Sequence, residues 1–513
     1  MKDIKKYTAT LGVFIFIFCI SCERLADVNK NLNDPSTVPT ASLLASAQKN
    51  IMDNMRGTAL SATLSLAFIQ HFAHNTYTDA DRYQLTNTAG STAWQNLYMA
   101  IATLNEIIKL NTDPNTQATV SVDGFNDNQI AVCRILKVWA FQNMTDIWGD
   151  IPYHSTGATD PDFQACLADE GIIYPKYASQ EKIYKDMLKE LKEASDMIDV
   201  TESGFKRGDA IFGGNILRWK KFANSLSLRI ANRVKAKLPE AATRITEIIS
   251  NSATYPVMAG NTDNACLAYA TAAPNQAPFY NYTIVARRDD YSITNTVVEY
   301  MQGTRGNTGI SDPRLPFYAQ KATNTGTYVG QPYGLGANYV TYVGADNVSY
   351  PGTLIYAPDF KEVLMEYAEV QFLLSENKNW EQASYIEGIK ASMEKWGVIQ
   401  ADITLYMAAV PTATEEHVIT QKWIALMMQG QEAWSEYRRT GFPDFLVMPG
   451  DIIWSGNVNG VPTDVRFEPL LGSAIPRRLF YPDTEQQLNK ESYQAALAVQ
   501  GNDAMDTKIW WDR

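Results

Sequence analysis

Apolar residues recur at spacings of three and four over Ala41 to Ala73, Trp94 to Leu110, Gln129 to Trp148, Gln180 to Val200, Asn215 to Leu238 and Glu240 to Ser250. The first half of the chain therefore predicts six amphipathic helices. The clearest spans Asn215 to Leu238, where Trp219, Phe222, Leu226, Ile230, Val234 and Leu238 form one stripe while Lys220, Lys221, Arg229 and Arg233 occupy other faces. Pro239 suits the first turn of a following helix, so the two segments predict a helical hairpin. Between Tyr255 and Pro358 the pattern lapses: proline, glycine, asparagine and tyrosine interrupt every long helix except around Ile293 to Met301. The tyrosine content there argues against disorder. Periodicity resumes over Phe360 to Glu376, Trp380 to Trp396 and Glu415 to Arg439, and an irregular, proline-bearing segment follows. The pattern is that of a mainly α fold with long irregular loops and few short strands.

The N-terminus has a different organisation. Lys2, Lys5 and Lys6 precede Leu11 to Ile20, an apolar run too short to span a bilayer, which leads into Ser21, Cys22 and Glu23. Residues 1–21 are expected to be a lipoprotein signal peptide and Cys22 the lipidated residue, although Cys19 stands where such a signal usually has leucine. Each buried acyl methylene contributes about 0.8 kcal/mol, so several chains make a stable anchor. Glu23 to Thr40 is polar and proline-bearing, which makes residues 22–40 a flexible tether.

Only 19% of the 513 residues are charged, against 45% hydrophobic, and the formal net charge is −12. Loss of residues 1–21 would remove three lysines and one aspartate, leaving −14. Nucleic acid is therefore a poor partner. Cys133, Cys166 and Cys266 are an odd, widely spaced trio, neither a disulfide framework nor a metal set. His71 and His74, at helical spacing, lack the carboxylate motif of a zinc site. Glu366 with Glu369, and Glu432 with Glu436, share helix faces, which suits pairing with arginines of a neighbouring helix. A glycosidase instead needs two carboxylates facing each other across a cleft. No nucleophile elbow, phosphate loop or dinucleotide fingerprint is present, so the chain carries no catalytic constellation.

Binding chemistry is concentrated in the loops. Asn324 to Tyr350 holds Tyr328, Tyr333, Tyr339, Tyr342 and Tyr350 among five glycines, with no lysine or arginine. Asn75 to Tyr83 adds Tyr77, Arg82 and Tyr83, and Tyr280 to Tyr291 adds Tyr280, Tyr282, Arg287, Arg288 and Tyr291. Aromatic faces with amide partners suit a neutral polyhydroxylated ligand. The candidate ligand residues are Tyr77, Arg82, Tyr83, Tyr280, Tyr282, Arg287, Tyr291, Tyr333, Tyr339 and Tyr342. Two other readings stay open: the tyrosines serve the fold, and Arg287 or Arg288 pairs with Asp289 or Asp290 on the surface.

The ordered series CERLADVNKNLNDPSTVPTASLLASAQ, WQNLYMAI, ILKVWAFQNMTDIWGDIPY, DAIFGGNILRWKKFANSLSLRIANR, SDPRLPFYA, YAEVQFLLSE, YIEGIKASMEKWGV, ITQKWIALMMQGQEAWSEYRRTGFPDF and IPRRLFYPDTEQQLN resembles the SusD/RagB family of Bacteroidetes outer-membrane lipoproteins, in its starch-binding SusD-like branch. The resemblance implies one α-rich domain over residues 41–513, built on helix pairs resembling tetratricopeptide repeats, with a loop-rich insert at about 255–358. It also implies a non-enzymatic receptor without cofactors, a structural calcium ion being left open. Such a receptor faces the cell exterior, captures an oligosaccharide and delivers it to a SusC-like TonB-dependent transporter. Trp219, Asn224, Arg229 and Arg438 fall in the family motifs and read as scaffold. The rival expectations are a peptide receptor, a lipid-anchored glycoside hydrolase and a transporter lid that binds nothing itself.

Overall fold

The computed structural model describes residues 38–306, 309–471 and 475–512. The signal peptide, Cys22 and most of the tether lie outside the described residues. Six helices match the first periodic segments: α1 (Thr40–Met55), α2 (Ser91–Thr112), α3 (Asn126–Trp148), α4 (Gln180–Met197), α5 (Ile216–Val234) and α6 (Pro239–Ser250). Each packs against its predecessor. Four more, α7 (Tyr367–Asn377), α8 (Gln382–Trp396), α9 (Glu415–Ala425) and α10 (Gly430–Thr440), close the scaffold. Here α7 lies against α5, α8 and α9, and α10 returns to α3. Residues Asn128 to Trp148 of α3 are all buried, so this helix forms the axis of the core rather than an amphipathic wall. At the start of α5 the Asn215 carboxamide accepts the Arg218 N–H at 3.1 Å, satisfying one of the free donors of the first turn. Pro239 opens α6, as the helical hairpin requires.

Several expected helices are interrupted. The segment Ala41 to Ala73 leaves α1 at Met55, makes a π turn (Ser61–Ser65) and a short helix (Leu66–Phe68), and then becomes strand β1 (Phe72–His74). The reversal occurs at Gln70, which takes the left-handed conformation at φ 58°. Its side chain holds the turn, donating to the Val447 carbonyl and accepting the Val447 N–H, each at 2.8 Å. His71 and His74 therefore do not share a helix face. His71 is buried against Trp423, and the His74 ring bonds Asp81 at 2.5 Å.

Phe360 to Glu376 likewise divides into strand β4 (Lys361–Met365) and α7. An apolar run of three residues, Val363 to Met365, fits a buried strand as well as a helix turn, and pairing with strand β2 (Ala265–Ala268) decides it. Glu415 to Arg439 breaks at Met428, φ 69°. Gly430 then lets α10 approach the turn at Ser65, where a Cβ would stand 2.6 Å from the Ser65 hydroxyl. The C-terminal segment holds the hairpin of β5 (Ile452–Val458) and β6 (Val461–Arg466) and a further helix, α11 (Lys490–Gln500).

The paired glutamates lie inside the scaffold, matched to cations of neighbouring helices and, at Glu436, also to Arg439 of its own helix. The Arg229 guanidinium bonds Glu369 at 2.7 Å, and Arg233 bonds Asp146 at 2.6 Å and also meets Glu432. Arg439 joins Glu376 at 2.8 Å and Glu436 at 2.5 Å, and Glu436 also meets Lys422. Burial works to raise the Glu436 carboxyl, but Arg439 and Lys422 outweigh it and hold it well below the usual range. At Glu369 burial wins over Arg229 and the carboxyl is raised. Arg438 donates to the carbonyls of Asp146 and Arg477 at 2.7 and 2.6 Å, and Asn224 donates to those of Lys220 and Pro256, both as scaffold contacts. Trp219 is fully buried, its indole N–H donating to Asp209 at 2.8 Å.

Candidate functional site

Three distant segments meet through one short ladder. Strand β1 pairs antiparallel with β3 (Tyr291–Ile293), in the register Phe72 to Ile293, Ala73 to Ser292 and His74 to Tyr291. The Asn75 side chain extends the join, donating to the Asp289 carbonyl at 3.0 Å and accepting from the Ser292 hydroxyl at 2.9 Å. The tyrosine-rich loop is fastened to the same strand, because the Ile293 N–H donates to the Ser349 carbonyl at 2.9 Å and the Gln331 N–H to the Ile293 carbonyl at 2.8 Å. The three loop segments are thus joined at their bases, largely by main-chain bonds.

An open cleft of about 600 Å³ lies between the Tyr280 to Tyr291 segment and the end of the tyrosine-rich loop. Tyr280, Tyr350 and Tyr356 supply ring surface, Asp289, Asp346 and Gln320 supply acceptors and donors, and Thr283, Ile284 and Thr353 complete the wall. Among the described residues no lysine or arginine lines it. Gln320 is oriented by donating its side-chain N–H to the Pro351 carbonyl at 2.7 Å. Burial, reinforced by Asp289 and Asp346, raises the Tyr350 hydroxyl, and burial with Tyr350 and Asp289 raises that of Tyr356. Both remain protonated donors at neutral pH. Volume and lining match a site for one or a few sugar rings, with flat faces for C–H surfaces and polar groups for hydroxyls.

The ten candidate residues separate into distinct settings. Tyr280 lines the cleft. Beside it Tyr77, 68% exposed, and Tyr282 flank the Arg288 guanidinium, which lies 5.5 and 5.3 Å from their ring centres. Arg288 pairs with Asp290 at 2.5 Å, and Tyr282 bonds the same carboxylate, so the foreseen surface pairing occurs at this arginine. Arg287 is exposed at φ 56°.

Tyr83, Tyr291 and Tyr333 belong to the core, and this corrects their assignment to ligand. Tyr333 is 0% exposed, and it and Tyr83 both pack on Phe467. Tyr291 packs on Phe72 and Phe279 and bonds Thr63 at 2.8 Å. Tyr339 and the exposed Tyr342 lie on a short helix (Ala337–Val343) against Trp454 of β5, forming a second aromatic surface. Arg82 pairs with Asp79 at 2.5 Å and lies beside Gly336, near the start of that helix.

Sequence reasoning did not select Tyr350, Tyr356, Asp289, Asp346 or Gln320. Tyr350 and both aspartates stood inside quoted loop segments, but no periodicity distinguishes a tyrosine that faces a cleft from one that faces the core. Tyr356 and Gln320 lay outside those segments and carried no local signal.

A sequence-family profile described as SusD-like, starch-binding and associating with the outer membrane matches residues 32–468. The chain belongs to the SusD-like family. Solved structures agree with this SusD-like fold. A chitin-binding protein shares 24% identity at a TM-score of 0.74, with 92% of this chain and 99% of that chain covered. A SusD homologue of Parabacteroides distasonis shares 21% at 0.75, covering 92% and 98%, and one of Bacteroides uniformis 23% at 0.70, covering 92% and 99%. At these identities the likeness establishes the fold. No curated protein sequence matches the chain. Among the described residues no helix of this SusD-like protein is long and apolar enough to cross a membrane, and no group of three or more histidine, cysteine or acidic side chains is placed to hold a metal ion.

Proposed function

We propose that this SusD-like protein captures a neutral oligosaccharide in the tyrosine cleft and passes it, uncleaved, to a SusC-like TonB-dependent transporter. Acyl chains on Cys22 would hold it on the outer membrane, facing the exterior. The observation that carries the reading is the lining of the cleft: three tyrosine rings, two carboxylates and an amide, with no cation. A peptide receptor would need groups to neutralise a terminal carboxylate, and this lining lacks them. The family's starch-binding description makes an α-glucan the first ligand to test. Reversible stacking and hydrogen bonding suffice for capture, and contacts from the transporter would add to a weak intrinsic affinity.

Asp289 and Asp346 sharing one cleft favour a second reading, a glycoside hydrolase. Titration calorimetry of the purified protein with maltoheptaose, chito-oligosaccharides and short peptides, followed by analysis of released sugar, separates the two. Capture predicts glycan binding, at least tenfold weaker in the Tyr280→Ala, Tyr350→Ala, Tyr356→Ala triple variant, with no sugar released. Binding unchanged in that variant, or peptide binding alone, contradicts it. Sugar release abolished by Asp289→Asn or Asp346→Asn would establish the hydrolase.

A further inference from the structure

A second cavity, of about 740 Å³, lies across the short helix Thr353–Tyr356 from the tyrosine cleft. Thr353 and Tyr356 line the cleft, whereas Leu354 and Ala357 line this cavity. Its chemistry is the reverse of the cleft's. Arg218 from the first turn of α5, Lys361 from β4 and Lys395 from the end of α8 all line it, against the single carboxylate of Asp359. The Cys266 thiol lies in the same wall as the three cations. In a chain of net charge −12, such a concentration of positive charge in a concave site is a local inversion.

The donors are only partly used within the fold. Lys395 is matched by the buried Glu366 at 2.5 Å. Arg218 reaches the Asn264 carbonyl at 3.4 Å, but its Nε has no hydrogen-bond partner among the described residues. Lys361 is exposed and makes no ion pair among the described residues. Trp396 is 3% exposed, lines the cavity, and its indole N–H is unpartnered among the described residues. Buried donors are ordinarily satisfied, and this one, sealed in the wall of the cavity, is left without an acceptor. The Trp396 and Phe360 rings, 6.4 Å apart, supply apolar surface beside it.

We propose that this cavity binds the oxyanion of an acidic sugar, with Arg218 and Lys361 pairing the charge, the Trp396 N–H donating to an oxygen, and Trp396 and Phe360 contacting the ring. A carboxylate and a sulfate present the same chemistry, and the site does not depend on what occupies the tyrosine cleft. The test is calorimetry of the mature protein with digalacturonate, glucose 6-sulfate, hexaglutamate and neutral maltose, for the wild type and for Arg218→Gln, Lys361→Gln and Trp396→Phe. The proposal expects digalacturonate or glucose 6-sulfate to bind, the one that does naming the anion. That affinity should fall about tenfold for each cation removed, and measurably in Trp396→Phe, which keeps a ring and loses only the donor. Lys361 is exposed, so its variant should keep the wild-type melting temperature and remain informative if Arg218→Gln is destabilised. No binding of either acidic sugar at millimolar concentration, acidic-sugar affinity unchanged in all three variants, equal binding of maltose at the same residues, or hexaglutamate binding there more tightly would overturn it.

Discussion

Tyr333 and Tyr350 belong to one loop, yet one ring is sealed beneath Phe467 and the other opens into the cleft. Removing a sealed ring leaves a cavity, so Tyr333→Ala should cost about 3–5 kcal/mol in chemical denaturation. Tyr350→Ala should leave stability nearly unchanged and weaken glycan binding about five- to tenfold. Composition could announce a tyrosine-rich binding region but could not sort its members, because Tyr83, Tyr291 and Tyr333 differ from Tyr280 and Tyr350 only in what the fold places against them. Glu362 offers a different residue-scale test. Both its carboxylate oxygens are buried without partners, and burial pushes it up to about 8 against the pull of Arg56 and Lys395. It is neutral in the fold and ionises on unfolding, so its contribution is full below pH ~4.5 and is lost as pH rises through about 8. In urea denaturation from pH 5 to 9, Glu362→Gln should gain on wild type as pH rises, by on the order of a few kcal/mol. A constant difference would refute the assignment.

At the scale of elements, α3, α5, α7, α9 and α10 are joined by buried ion pairs as well as by apolar stripes. Arg233 bonds Asp146 of α3 and meets Glu432 of α10, so Arg233→Met leaves the buried Asp146 with only the neutral donors Gln142, Tyr184 and Trp511, and Glu432 with Arg229 at 3.6 Å. The expected loss is about 3–5 kcal/mol, read by denaturation, with cleft affinity unchanged in the folded fraction. The stripe of α5 and the pairing of Glu369 and Glu432 with arginines were legible in the sequence, since helical spacing alone sets which residues share a face. Strands β1 and β4 were not, because short apolar runs beside true helices satisfy both periods until a partner strand is found. The hairpin of β5 and β6 matters differently: it carries Trp454 against Tyr339 and Tyr342. Trp454→Ala should leave binding in the tyrosine cleft unchanged in calorimetry, while a large loss would move the site to this second aromatic surface.

Across the whole molecule, a helical scaffold whose family motifs occupy its core supports loops that meet far from one another in sequence. The family and the helix-pair architecture could be read from the chain because packing motifs are spread over its length. The cleft could not, since Tyr280, Gln320, Asp346 and Tyr356 come together only after β1 and β3 pair and the tyrosine loop is tied to them. Two cavities of opposite chemistry then flank one short helix, aromatic and acidic on one side and basic on the other. The central claim is capture in the tyrosine cleft without cleavage. Its most direct test is a crystal structure of the protein soaked with the tightest-binding glycan of the calorimetric panel. An intact oligosaccharide should lie against Tyr280, Tyr350 and Tyr356. An empty cleft with the glycan on Trp454, or a hydrolysed product between Asp289 and Asp346, would contradict it.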